Sequence, residues 1–205
     1  SDLVEKLSSA SAKCEGIWEE ARKKSDFKIV QPHLQELIKL SKEESLILAN
    51  TLKCPPYEAL INKFEPESNL KDIKNIFDNL ENFLVPLIDE IIKKQSKDKL
   101  LSISNLMTAE QQKNIGLHLM DSIGFDFTRG RLDISQHPFC GGAYQDIRIT
   151  TRYNEKDPFS SLEGVMHETG HALYELNLPK KWKYQPAGQS RGMAMHESQS
   201  LMIEM

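Results

Sequence analysis

Apolar positions recur at helical spacing through most of the first half of the chain. "LVEKLSSASAKCEGIWEEARKK" joins good helix formers to apolar residues near a 3.6-residue repeat. A second helix is expected over about 31–51, with Pro32 in its first turn. "CPPYEAL" breaks the pattern. Leu70, Ile73, Phe77, Leu80, Leu84, Leu87 and Ile91 then alternate steps of three and four. That stripe predicts a long helix with its apolar face in the core and a kink at Pro86. Thr108 and Gln111 fit a capping box for a helix over roughly 109–123.

The pattern changes at Gly124. "GFDFTRGRLDISQHPFCGGAYQDIRITTRY" carries four of the ten glycines and many aromatic and β-branched residues. Within it Ile147 and Ile149 alternate with Arg148 and Thr150, the period of two that marks a half-buried strand. Helical pattern resumes with Asp157 as N-cap and Pro158 at the first helical position. Phe159, Leu162, Val165, Met166, Ala172, Leu173 and Leu176 give that helix a buried face, and it should stop before Pro179. A loop with Trp182 and Pro186 leads to a last helix from about Ser190. The expected division is a helical region over 1–123 and a small sheet with two helices over 124–205.

Composition excludes several classes. A net charge of −4 leaves no electrostatic footprint for nucleic acid, and "KKQSKDK" at 93–99 reads as a solvated helix end. No run of eighteen apolar residues exists to span a membrane. Cys14, Cys54 and Cys140 are odd in number and form no CxxC pair, so they read as reduced thiols of a cytoplasmic protein. Cys140 lies near the candidate site but reads better as a small buried residue than as a ligand.

The candidate chemistry lies in "HETGH", residues 167–171. His167 and His171, four apart on a helix, stack on one face and can share one zinc ion. Glu168 projects beside them and can take a proton from water that the metal acidifies. Gly164 and Gly170 each cost a helix about 1 kcal/mol relative to alanine, which close packing or a ligand would explain. A third ligand is needed. Glu175 would have to reach back about 5.4 Å along its own helix. No histidine follows until His196, and "HALYEL" has no glycine to turn the chain just after the motif. Glu197, on the last helix, is the best candidate, with His196 either an assisting neighbour or a structural residue. Arg148 reads equally as an exposed strand residue paired with an acid or as a receptor for a carboxylate, which its planar fork suits. On that strand Asp146 and Thr150 point the same way and could orient it.

"HPF" at 137–139, "DIRIT" at 146–150, "HETGH" and "HESQ" at 196–199 resemble, in order and spacing, the motifs of the carboxypeptidase Taq family of zinc metallocarboxypeptidases. "GRLD", "ITTRY", "EEARKKSDF" and "LVPLIDEI" extend the likeness to the whole chain. The resemblance implies a mainly α, gluzincin-like fold with a small antiparallel β-sheet beside the active-site helix. It also implies removal of single residues from peptide C-termini, and homodimers of the full-length protein. By the same resemblance His167, His171 and Glu197 are the zinc ligands, with Co2+ or another divalent ion able to substitute. Glu168 is then the general base, Arg148 the partner of the substrate's terminal carboxylate, and His137 a residue of the cleft. The rivals are an oligopeptidase or aminopeptidase with the same ligands, and a non-catalytic helical scaffold.

The family's IRxxAD-like and GxxQDxHW-like motifs are absent, and its members continue upstream of Ser1. The expectation is a partial catalytic domain with family sequence missing at both ends. Such a piece should bind zinc more weakly than the whole protein. It should release no measurable C-terminal residues, because preorganised oxyanion donors contribute on the order of a hundredfold to a thousandfold in rate. Amino-acid release from one unblocked peptide by the zinc-loaded chain and by its full-length parent checks this, and rates within tenfold of each other would refute it.

Overall fold

The computed structural model describes residues 2–98 and 106–205. Two compact units, Ser1–Val85 and Pro86–Met205, divide the chain. In the first, α1 (Asp2–Lys24) and α2 (Phe27–Leu52) pack as a hairpin around Cys14, Ala21 and Val30, with α3 (Pro56–Ile61) against α2. Asp26 caps α2 by accepting the Lys28 N–H at 3.0 Å. The helix therefore starts four residues earlier than its pattern suggested, and Pro32 sits in the interior rather than the first turn. There it leaves the Lys28 carbonyl without its usual helical donor.

α4 (Leu70–Gln95) runs through Pro86, and the division between the units falls within it. Its stripe is not core. No residue of α4 is buried, and Phe77 and Phe83 are each 63% exposed. Periodicity identifies the face that favours an apolar partner but does not supply the partner.

The second unit is built around α6 (Pro158–Leu176). Asp157 caps it, accepting the Ser160 N–H at 3.4 Å, and Pro158 opens it as its fixed φ favours. α5 (Ala109–Ser122) starts with the expected reciprocal box: Gln111 N–H donates to Thr108 Oγ1, and Thr108 N–H to Gln111 Oε1. Met120 of α5, Phe125, and Val165, Ala172 and Leu176 of α6 close over Leu132, Ile147 and Ile149 of the sheet.

That sheet has the order β1–β3–β2, with β1 Gly130–Ile134, β2 Phe139–Ala143 and β3 Asp146–Thr151. It is mixed rather than antiparallel. β2 and β3 form the antiparallel hairpin, with Cys140 opposite Ile149, while β1 lies parallel to β3, with Leu132 opposite Ile149. The reason is the link between β1 and β2, which passes the end of β3 and is held there. Ser135 N–H donates to the Thr151 carbonyl at 3.0 Å, and the Ser135 and Thr150 hydroxyls meet at 2.6 Å. No described helix is long and apolar enough to cross a membrane.

α7 (Met193–Glu204) packs along α6 and begins three residues later than expected, after Gly192 at φ +76°. Gly170 is where the two helices come closest. A Cβ there would lie 2.5 Å from Ser200 Cα and 2.6 Å from the Gln199 carbonyl oxygen. A Cβ on Gly164 would meet nothing nearer than Pro138 Cγ at 3.6 Å. Gly170→Ala should therefore destabilise by about 1–3 kcal/mol through overpacking. Gly164→Ala should be neutral or stabilising by up to about 1 kcal/mol through helix propensity. Denaturant melts of the two variants check this, and equal effects would refute the close approach.

Candidate metal centre

Positions 167 and 171 lie on the row of α6 that faces α7. Their imidazoles sit 4.9 Å apart between centroids, at 83° to each other. The crossing at Gly170 brings Glu197 across both rings. Its Oε1 lies 3.4 Å from His167 Nε2, and its Oε2 lies 3.5 Å from His171 Nε2. Ligand atoms of the three residues all lie within 4.8 Å of one another. A tetrahedral zinc ion at ordinary bond lengths separates its nitrogen and oxygen ligands by about 3.3–3.5 Å. Each histidine thus stands at about that spacing from one oxygen of Glu197, and the three residues are close enough to share a small divalent cation.

The donor set suits a cation in charge as well. Burial first, then the neighbouring His196 and His167, pushes the His171 pKa down, which favours the neutral imidazole that a metal requires. A neutral imine nitrogen facing a carboxylate oxygen is a meeting of acceptors, and a shared cation resolves it.

Glu168 projects one position on from this row, beside it. It shares the row of Ser161, Val165 and Ala172 that packs toward the sheet, and it is buried with them. Burial raises its pKa; the charge of His167 and the backbone N–H of Cys140 on β2 act the other way. Cys140 is half-buried and outside the ligand group. Burial, then the charges of Glu168 and Glu175, push its thiol up to about 12, so it remains a neutral thiol.

Glu175 stands with His196, whose Nε2 is 3.2 Å from Glu175 Oε1 but off the geometry of a hydrogen bond. The His196 ring lies 4.4 Å from that of His171 and 5.3 Å from that of Tyr174. Arg148 is held by Asp146, with Nη2 at 2.7 Å and Nε at 3.1 and 3.2 Å from its carboxylate oxygens. Thr150 does not share in this. It is buried, and its hydroxyl faces Ser135 and the His137 carbonyl. Thr150 lies on the face of β3 opposite Ile147 and Ile149, where the β1–β2 link and Phe139 cover it. His137 is exposed on the β1–β2 link, and neither it nor Arg148 joins the three-residue group.

Sequence reasoning missed Glu204, whose Oε2 lies 2.9 Å from His167 Nδ1. Its signal was the spacing of seven from Glu197, two turns along the same face of α7.

The profile described as Carboxypeptidase Taq (M32) metallopeptidase matches residues 1–205. The chain belongs to this family. Carboxypeptidase 1 of Bacillus subtilis is 36% identical over 194 residues, covering 94% of this chain and 38% of that protein. Thermostable carboxypeptidase 1 of Thermus thermophilus is 33% identical over 206 residues, covering 97% and 40%. Among solved structures, metallocarboxypeptidase 1 of Trypanosoma cruzi superposes with a TM-score of 0.87 at 40% identity, over 100% of this chain and 41% of that one. The M32 carboxypeptidase of Deinococcus radiodurans gives 0.83 at 30%, over 99% and 40%. The chain spans about two-fifths of the length of the curated relatives it matches. As a metallopeptidase family, it implies a divalent metal.

Glu197→Gln should leave zinc-loaded protein largely without metal after gel filtration, while Glu175→Gln should keep about one ion per chain. Metal analysis of both variants checks this, and loss from Glu175→Gln alone would place the third ligand on α6 instead.

Proposed function

We propose that this chain carries the zinc-binding part of a metallocarboxypeptidase, a hydrolase that releases single amino acids from peptide C-termini. The observation that supports it most is the convergence of His167, His171 and Glu197, whose ligand atoms lie within 4.8 Å of one another, with buried Glu168 at their side. Held by those three residues, zinc supplies a Lewis acid that polarises a carbonyl and lowers the pKa of water toward about 7.

Glu168 is the proton carrier. It accepts a proton from the attacking water at a carboxylate oxygen and returns it to the departing amine nitrogen. Its desolvation suits this, since a raised pKa brings it nearer the working pH. The Cys140 backbone N–H steadies the carboxylate from β2, so the sheet positions the base as α7 positions the third ligand.

Arg148 is the receptor for the terminal carboxylate. Its fork already holds one carboxylate, that of Asp146, and a substrate would compete for the same donors. His137 belongs to the substrate side of the cleft. The substrates are peptides with a free C-terminus, the full-length protein is a homodimer, and the compartment is the cytoplasm.

The test uses one peptide in three forms: free at both ends, amidated at the C-terminus, and acetylated at the N-terminus. Only the amidated form should resist hydrolysis by the full-length protein. Cleavage of the amidated form with loss of the acetylated one would indicate an aminopeptidase, and cleavage of both an oligopeptidase. Glu168→Gln should retain zinc and lose about a hundredfold to ten-thousandfold in kcat. Arg148→Ala should mainly raise KM for the free peptide.

A further inference from the structure

An imidazole that binds a metal through one nitrogen must have its other nitrogen and its ring plane fixed by something else. In α6 the two candidate ligands differ in this respect. His171 is packed ring against ring with His196, 4.4 Å away. His167 has a carboxylate instead: Glu204 Oε2 stands 2.9 Å from its Nδ1, while its Nε2 faces Glu197 at 3.4 Å. We infer that Glu204 is a positioning residue that fixes the tautomer and ring orientation of His167 for metal binding. This rests on the reading of His167, His171 and Glu197 as the ligand set.

The chemistry follows from what each atom can do. An ionised carboxylate only accepts hydrogen bonds, so the proton of a neutral His167 lies on Nδ1 and is donated to Glu204. Nε2 is then left with its lone pair directed at the cluster, which is the tautomer a metal takes. Glu197 and Glu204 are two turns apart, so their side chains leave nearly the same face of α7, about 10 Å apart along its axis. One helix thus contributes a ligand to the inner side of His167 and a hydrogen-bond acceptor to its outer side. Glu204 is only one-third exposed, which limits competition from water for the imidazole N–H.

Zinc affinity is measured by competition with a chromophoric chelator for the protein and for Glu204→Gln and Glu197→Gln. Glu204→Gln should bind zinc about 10- to 100-fold more weakly and alter the visible spectrum of the Co2+-substituted protein. Glu197→Gln should lose the metal. A Glu204→Gln protein within threefold of the parent in affinity, with an unchanged Co2+ spectrum, overturns the positioning role while the ligand set stands. Metal retained in Glu197→Gln overturns the ligand set, and this inference with it. Long-range 1H–15N spectra of the unsubstituted, metal-free protein decide the matter even if Glu204→Gln fails to fold. His167 protonated on Nδ1 supports the role, and protonation on Nε2 overturns it.

Discussion

The backbone contact between α6 and α7 at Gly170 holds the candidate centre together. α6 alone supplies two imidazoles and a carboxylate, and no arrangement of one helix brings Glu175 back to them easily. The third donor must come from a second helix at backbone distance. A Cβ at 170 would collide with the Ser200 backbone, so only glycine lets α7 sit where Glu197 spans both rings. The conformational cost of a helix glycine next to His171 is offset by that approach. The ligand distances of 3.4 and 3.5 Å follow from it, and so does the contact of Glu204 with the far side of His167.

Helical geometry separates the roles around α6 by about 100° per residue. His167 and His171 face α7, where charged groups meet and water can reach. Glu168, one position on, falls on the row with Val165 and Ala172 that packs against the sheet. Its burial is a consequence of register, not of a separate pocket. A carboxylate on that row has a raised pKa and a backbone donor on β2, whereas Glu197 remains half-exposed at the metal side.

Local chemistry was legible in the sequence and long-range pairing was not. The capping box of Thr108 and Gln111, the cap at Asp157 with Pro158, and the alternation of Ile147 and Ile149 are encoded within a few residues, and each is present. The pairing of His167 with His171 on one helix face is encoded as locally, and the structure brings Glu197 to them. The parallel seat of β1 depends on Ser135 meeting Thr150 and Thr151 across β3, which no short window contains. The α4 stripe predicted a buried face because amphipathicity reports demand for a partner; Phe77, Leu80, Leu84 and Ile91 remain exposed. Glu204 was missed because an acid near the end of a polar–apolar helix looks like ordinary solvated charge until the distance to His167 is known.

The two ways of holding the histidines have different consequences. His196 packs its ring on His171 and meets Glu175, so that side of the centre is fixed by shape and by residues of both helices. Glu204 meets His167 through one directional contact to a nitrogen atom. Packing tolerates either tautomer of an imidazole, since both have the same outline. A carboxylate acceptor does not, since it stabilises only the form with a proton facing it. His171 is nevertheless constrained, because burial disfavours its charged form and its Nε2 already faces Glu197. The more exposed His167, where water offers the most alternatives, is the one given a dedicated acceptor. Directional bonding is used where burial is weakest, and packing where burial already limits the states available.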